Sequence, residues 1–356
     1  MRYALRNMVV LVALLLCTPA AALRGAETRL ESTAVQQQEP GRQADAASND
    51  SRSFHIVSDR MWRARGRADA KIIVSAPTPS SVDQTVKMLS ERHKTHKAAA
   101  YLCAGDHIAA IKVLLPLVDE FVVVPFHGAS DEKPAVDELT WPGYDHPLIN
   151  RLRQVRRLTQ GKRLNAALLA SFVSPARVWG VGAERNTKFE EVQWMMFAVV
   201  GADWDGIVWY DFDVTRGQFA QFAPRVTQIA DALEQHGSDL GSASPMRWVQ
   251  SSQGQPVSAL CSGRTLFVVL LNPEYFALNA EGTGVCSPEE PTERKGELLI
   301  KIPAGRAVTS GAFLLGQPVD ITHDKDIVRV KYSFTGGGDL IVLNLSDEAK
   351  AGRDQQ

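Results

Sequence analysis

Acidic side chains near the ends of apolar segments are the residues of this sequence best suited to acid–base chemistry. Asp106 follows the segment AAAYLCAG, Asp211 and Asp213 close the segment GIVWYDFD, and Glu184 lies in a long intervening loop. Catalytic carboxyl groups usually work as pairs whose surroundings hold one protonated and the other ionised. We therefore predict Asp211, Asp106 and Glu184 as catalytic residues. The alternative for Asp106, and for one of the other two aspartates, is a simple helix cap.

Aromatic and polar side chains occur near the same segment ends. Rings of this kind stack on flat apolar faces of ligands, and a histidine can donate a hydrogen bond or shuttle a proton. The predicted ligand-binding residues are Trp209, Tyr210, Trp179, His127 and Asp213. The alternatives are packing, for whichever of Trp209 or Tyr210 points outward, and a structural role for His127.

Other chemistries lack support in the sequence. No cluster of His, Cys, Asp or Glu has metal-ligand spacing, and GVGAERN lacks the preceding strand and following helix of a dinucleotide-binding loop. We expect no metal and no cofactor. The formal net charge is -1, with both signs interspersed, which argues against nucleic acid as a partner.

The elements that must position these residues alternate between strands and helices. Apolar runs separated by segments of helical period predict a parallel sheet covered by helices. The predicted strands are 71–77, 98–105, 121–128, 164–172 and 206–213. In such sheets the chemistry lies in the loops that follow strands, where the candidate residues are found.

The helix before the last of these strands has the clearest pattern. Thr187 and Glu190 have the spacing of a capping box, and the dipole of the helix accounts for Glu191. One face carries apolar residues at helical spacing, namely Val192, Met195, Met196, Val199 and Val200. After residue 245 short β runs predict a small antiparallel sandwich.

The segment TKFEEVQWMMFAVVGADWDGIVWYDFD resembles the last helix and strand of glycoside hydrolase (β/α)8 barrels. The matching residues are Glu191, Ala198, Gly201, Ala202, Gly206, Ile207 and Tyr210. GKRLNAALLASF resembles the seventh strand and LVDEFVVVPFHG the sixth. The resemblance implies an α/β fold, a TIM-barrel-like domain followed by a β-sandwich, and a carbohydrate ligand at the carboxyl ends of the strands.

Two departures from that family keep alternatives open. Residues 54–236 number 183, against about 250 for a full barrel, so its beginning is absent, hidden in 54–70, or supplied by another copy in a homo-oligomer. An open doubly wound sheet is a further alternative. VSAPTP and ASFVSP, at the ends of the fourth and seventh strands, lack the glutamates of retaining enzymes. The second functional reading is therefore a carbohydrate-binding or scaffold protein without activity.

The remaining segments concern export and domain limits. Arg2 and Arg6, an apolar run and small residues predict a signal peptide, hence a secreted or periplasmic protein without a membrane span. Cys261 and Cys286 either form a disulfide or stay free. The predicted segments are a signal peptide at 1–22, a disordered leader at 23–53, the barrel-like domain at 54–236, a linker at 237–245, the sandwich at 246–346 and a polar tail at 347–356.

Overall fold

The computed structural model describes residues 53–68, 71–75, 82–92, 97–102, 107–125, 133, 138–169, 188–210, 219–278, 285–324 and 326–347. All of them belong to one compact unit, Ser51–Gln356. Within these ranges, no helix has the length and apolar character needed to cross a membrane.

Six parallel strands form the first sheet. They are β1 His55–Ser58, β2 Ile72–Ser75, β3 Ala98–Leu102, β4 Glu120–Val123, β5 Arg163–Leu169 and β6 Gly206–Tyr210. Their order is β1-β6-β5-β4-β3-β2, and all five pairings are parallel. Seven described helices accompany the sheets, namely α1 Asp59–Ala68, α2 Val82–Arg92, α3 His107–Leu114, α4 Pro147–Leu158, α5 Phe189–Gly201, α6 Phe219–Gln235 and α7 Gly237–Ser242. The predicted parallel α/β architecture is confirmed.

The described residues form a curled sheet of six strands, against eight in a full barrel, and we call this sheet the half-barrel. The pairing of β6 with β1 is the closure expected between the last and first strands of an eight-stranded barrel. Thirteen residues separate Ser58 from Ile72, and ten of them form α1. A βαβ unit needs roughly 30 residues, so no further strand fits between β1 and β2. The predicted first strand therefore lies within 54–70, and the described residues place no further strand between it and β2.

Helix α1 occupies the opening between β1 and β2. It packs against both of these strands and against β6. Trp62 of α1 is 5% exposed and enters the apolar interior of the half-barrel, where its ring lies 5.7 Å from that of Tyr101. The other buried members of this interior cluster are Val57, Ala99, Val122, Val124, Ala167 and Val208. One tryptophan from a helix thus fills space that side chains of strands fill in a closed barrel.

The sandwich follows the half-barrel and consists of two main antiparallel sheets with a two-stranded ribbon. The strands are β7 Ser244–Pro245, β8 Val249–Ser251, β9 Val257–Cys261, β10 Thr265–Leu271, β11 Ala277–Leu278, β12 Val285–Cys286, β13 Glu293–Lys301, β14 Arg306–Phe313, β15 Asp320–Asp324, β16 Ile327–Thr335 and β17 Gly338–Asp347. The sheet orders are β14-β17-β10-β9-β7, β15-β16-β13-β8 and β11-β12. The predicted all-β region is confirmed.

Helix α5 joins the half-barrel to the five-stranded sheet. All thirteen of its residues are buried, because the half-barrel covers one side and strands β9, β10 and β17 cover another. Strand β10 is buried along its whole length. Leu266, Val268 and Leu270 face the interior of the sandwich, whereas the alternate residues Phe267 and Val269 belong to the core that contains α5. One apolar core therefore continues from the first sheet into the second.

Polar contacts fix the same junction. His146, 5% exposed, donates from Nε2 to the carbonyl of Phe276 at 2.8 Å and accepts from the Leu148 amide at Nδ1, 3.3 Å away. These roles require a neutral ring, and burial lowers the pKa of His146 accordingly. His146 is thus both the N-cap of α4 and a link to the sandwich.

Three details differ from the sequence expectations. The segment predicted as a linker, 237–245, contains α7 and β7, and β7 pairs with β9. Cys261 and Cys286 are free thiols, so the disulfide alternative is wrong. The capping box of α5 lies one residue later than predicted, because the carboxylate of Glu191 accepts the Lys188 amide at 2.9 Å.

The side chains around that cap explain the shift. Ser287 donates to the second carboxylate oxygen of Glu191 at 2.7 Å, and the ammonium of Lys188 donates to backbone carbonyls of Pro288 and Glu289. Glu190, predicted as the capping residue, instead lies 3.7 Å from the guanidinium of Arg225. Contacts with the sandwich therefore determine where α5 begins.

Candidate functional site

The predicted site is the rim formed by the carboxyl ends of the half-barrel strands. Because all five pairings are parallel, those ends lie at one edge of the sheet. Helix α3 begins one residue after Asp106, and β6 ends one residue before Asp211. The predicted residues Asp106, His127, Trp179, Glu184, Asp211 and Asp213 lie outside the described residues.

Trp209 lies on the outer side of the sheet. It is 4% exposed and belongs to the core shared with the helices, whereas its neighbour Val208 belongs to the interior cluster. This position favours the packing alternative over ligand contact. The backbone of Tyr210 is the last residue of β6 and pairs with Leu169; its side chain lies outside the described part.

A second polar cluster lies at the opposite, amino end of the strands. Its centre is Glu120, the first residue of β4, which is 4% exposed. The Glu120 carboxylate accepts hydrogen bonds from Trp62 Nε1 at 2.8 Å and Asn165 Nδ2 at 2.7 Å, and pairs with Lys71 Nζ at 3.0 Å. Burial alone would raise the pKa of Glu120, but the bond from Trp62 and the charge of Lys71 outweigh it and hold the pKa below the ordinary value.

His55 and Arg163 complete this amino-end cluster. Arg163 Nη2 donates to Nδ1 of His55 at 2.9 Å, which requires that nitrogen to be unprotonated. Burial, reinforced by the charge of Arg163, lowers the pKa of His55 to about 4. His55 is therefore neutral at pH 7 and acts as an acceptor for the guanidinium.

No sequence pattern predicted this amino-end cluster. His55, Glu120 and Arg163 each begin a strand, and Lys71 immediately precedes one. They are distant in the sequence, and only the parallel register brings them together. The available signal was a charged residue directly before an apolar run, as in EFVV and RLNAALL.

The described residues offer no metal centre. Nowhere among them do three or more His, Cys, Asp or Glu side chains come together to hold an ion. The amino-end cluster has one carboxylate surrounded by cations, which is unsuited to a divalent cation.

Comparisons with known proteins bear on the fold. No protein-family model matches the sequence, and no curated protein matches it. Solved structures similar to this chain include glycoside hydrolases. The predicted resemblance to the fold of glycoside hydrolases is confirmed.

Three of these structures illustrate the degree of likeness. An alpha-amylase from Anoxybacillus is 9% identical over 80% of this chain, with a TM-score of 0.43, and the chain spans 60% of its length. A GH30 endoxylanase from Clostridium papyrosolvens is 10% identical over 81% of this chain and 68% of its own, with a TM-score of 0.40. A GH29 alpha-L-fucosidase from Bacteroides thetaiotaomicron is 10% identical over 81% of both chains, with a TM-score of 0.29. Likeness of this degree assigns no activity to the chain.

Proposed function

We propose that this protein is exported and binds carbohydrate at the carboxyl-end rim of the half-barrel. The observation that carries the proposal is the uniformly parallel strand order, which gathers six strand ends at one edge. The segments that continue from those ends contain the rings of Trp179 and Tyr210 and the carboxylates of Asp211 and Asp213. Rings with neighbouring hydrogen-bonding groups suit a sugar, which has apolar faces edged by hydroxyls.

Binding without turnover accounts best for what the sequence lacks. In the sheet order, β2 and β5 take the places of the fourth and seventh barrel strands. The residues that follow them, VSAPTP and ASFVSP, carry no glutamate. Among the described residues the half-barrel has six strands rather than eight, and the sequence lacks the carboxylates of retaining enzymes at these two strand ends.

Hydrolysis is the second candidate, and the spacing of two other strands favours it. Asp106 and Asp211 follow β3 and β6, which are three positions apart in the sheet. The same separation relates β2 and β5, where the family resemblance implies the acid and the nucleophile. An acid pair formed by Asp106 and Asp211 would therefore follow strands with the family's separation, and Glu184 is the third acid predicted from the sequence.

The test uses the full-length chain and a glycan panel, with retention and release of reducing ends measured on the same samples. Trp179→Ala should abolish retention. Trp248→Ala is the matched control, because Trp248 is 62% exposed on the sandwich, away from the half-barrel. Loss of retention in the Trp248 variant alone would place the sugar on the sandwich and refute carbohydrate binding at the rim.

Turnover is tested with Asp211→Asn, and Asp320→Asn of the exposed strand β15 is the control. Release of reducing ends that Asp211→Asn alone abolishes would establish hydrolysis. Retention without release would establish a binding protein. Absence of both retention and release would contradict both candidate functions. Export is tested by N-terminal sequencing of protein recovered outside the cytoplasm, which should begin at Leu23.

A further inference from the structure

A small cavity lies at the amino end of the half-barrel, opposite the rim. Its volume is about 90 Å³, and its lining includes His55, Trp62, Arg65, Lys71, Glu120 and Arg163. Its lining residues come from α1 and from the amino-terminal parts of β1 to β5. Helix α1 contributes Trp62, Arg65 and Gly66 to the wall of this chamber without filling it.

The charged groups that line this chamber do not balance. The cations are Arg65, Lys71 and Arg163, and the single acid is Glu120. Lys71 and Glu120 lie 3.0 Å apart and neutralise each other. His55 is neutral, since its pKa is lowered to about 4. The charge of Arg163 also acts on Glu120, but one carboxylate cannot balance three cations, so the lining keeps a net positive charge.

Arg163 also has hydrogen-bond donors available for a ligand. Nη2 donates to His55 Nδ1 at 2.9 Å and to the Ser53 carbonyl at 3.4 Å. Both bonds come from Nη2, and Nε and Nη1 of Arg163 donate no hydrogen bond to any described residue. A guanidinium presents five N–H donors in a planar fork that matches the oxygens of a carboxylate or a phosphate.

We propose that this amino-end chamber binds a small oxyanion, a carboxylate or a phosphate, through Arg163 and Arg65. A chamber of about 90 Å³ has room for a group of this size. The Glu120–Lys71 pair and Trp62 form the wall that holds the site in shape. A purely structural role explains that pair and the Nη2 contacts of Arg163, but not the net positive charge of the lining.

Calorimetric titration of the full-length chain with sodium phosphate or sodium acetate tests this site. Both are measured at constant ionic strength against a sodium chloride background, and the midpoint of thermal unfolding is recorded in the same buffers. Arg163→Gln and Arg65→Gln should each weaken binding at least tenfold, because each removes a charge-assisted contact. Arg65 is exposed, so its replacement leaves the fold intact. Arg329→Gln, on strand β16 of the sandwich, is the control and should bind as the unmodified chain does.

Preference for phosphate or for acetate identifies the source of the oxyanion, and either supports the site. Absence of binding of both anions, or binding that survives both replacements, would overturn the proposal. Trp179→Ala should leave anion binding unchanged, so this test and the carbohydrate test fail independently.

Discussion

Replacement of Trp62 by alanine tests whether α1 is part of the half-barrel core. Trp62 is 5% exposed, so nearly all of the ~150–250 Å² of a tryptophan is buried. At about 25 cal/mol per Å² this burial contributes about 4–6 kcal/mol, of which an alanine retains a small part. We expect Trp62→Ala to lower the free energy of unfolding by about 3–5 kcal/mol, in the range of other large-to-small core replacements.

Two further variants separate packing from hydrogen bonding. Trp62→Phe keeps a ring but removes the Nε1 donor that lies 2.8 Å from Glu120. Since a hydrogen bond to a charged group contributes about 1.5–3 kcal/mol, this variant should lose about that much. Met61→Ala is the matched control, because Met61 is the preceding residue of the same helix and is 52% exposed. Its effect should stay within about 0.5 kcal/mol.

Guanidinium chloride unfolding followed by circular dichroism gives the three free energies, with the m-value as a check on the denatured state. A loss below about 1 kcal/mol for Trp62→Ala would refute the reasoning, because a residue packed in a core costs more than that to remove. Equal losses for the Trp62 and Met61 variants would show that α1 lies on the surface rather than in the opening.

Three further predictions concern the sandwich junction and pH. Gly337→Ala should lower the thermal midpoint strongly, since its Cβ would lie 1.8 Å from the Glu190 carbonyl of α5, whereas Gly263→Ala meets nothing within 4 Å and should be neutral. Asp339, whose pKa burial raises from 3.8 to about 7, stabilises the fold when protonated, and this contribution is lost as pH rises from 4 to above 7. Asp339→Asn should therefore be more stable than the unmodified chain at pH 8, by about 2–4 kcal/mol, and should match it at pH 4 in chemical unfolding. For His55, burial lowers the pKa from 6.5 to about 4, so its contribution of up to about 3 kcal/mol is full above pH 6.5 and is lost as pH falls through 4. His55→Gln should flatten that acid limb of the stability curve, and an unchanged limb would contradict the assignment.

Apolar runs predicted five of the six half-barrel strands because buried parallel strands are nearly continuous in hydrophobic residues. The first strand, His55–Ser58, has four residues, too few for a period to be recognised. Its partner is β6, which follows about 150 residues later. Only that pairing identifies His55–Ser58 as the first strand of the half-barrel.

The helix pattern of α5 predicted one buried face, and the structure buries every residue. Trp194, Phe197 and Ala198 fall outside the predicted stripe. Apolar residues therefore lie on more than one face of the helix, which favours burial on more than one side. The sequence contained that information, but the partner on the second side, strand β10, is encoded more than sixty residues away.

The rim residues could be proposed from the sequence, whereas the amino-end cluster could not. Strand ends could be located from apolar runs, so the rim residues could be proposed one by one. The amino-end cluster depends on which side of each strand a charged residue faces and on the strand order, and neither can be read from a single segment. Trp209 is an example of a residue whose side of the sheet could not be assigned from the sequence. Its neighbour Val208 faces the interior, and a shift of one residue exchanges the two sides.

Because α5 is buried on every side, the half-barrel and the sandwich are not separable parts of the chain. A chain cut after residue 245 would leave one side of that helix in water, and the complementary piece would expose Phe267 and Val269 of β10. Neither piece could be copied, fused or exchanged as a self-sufficient module. The two parts should therefore be stable only when both are present, although the chain reads as two consecutive architectures.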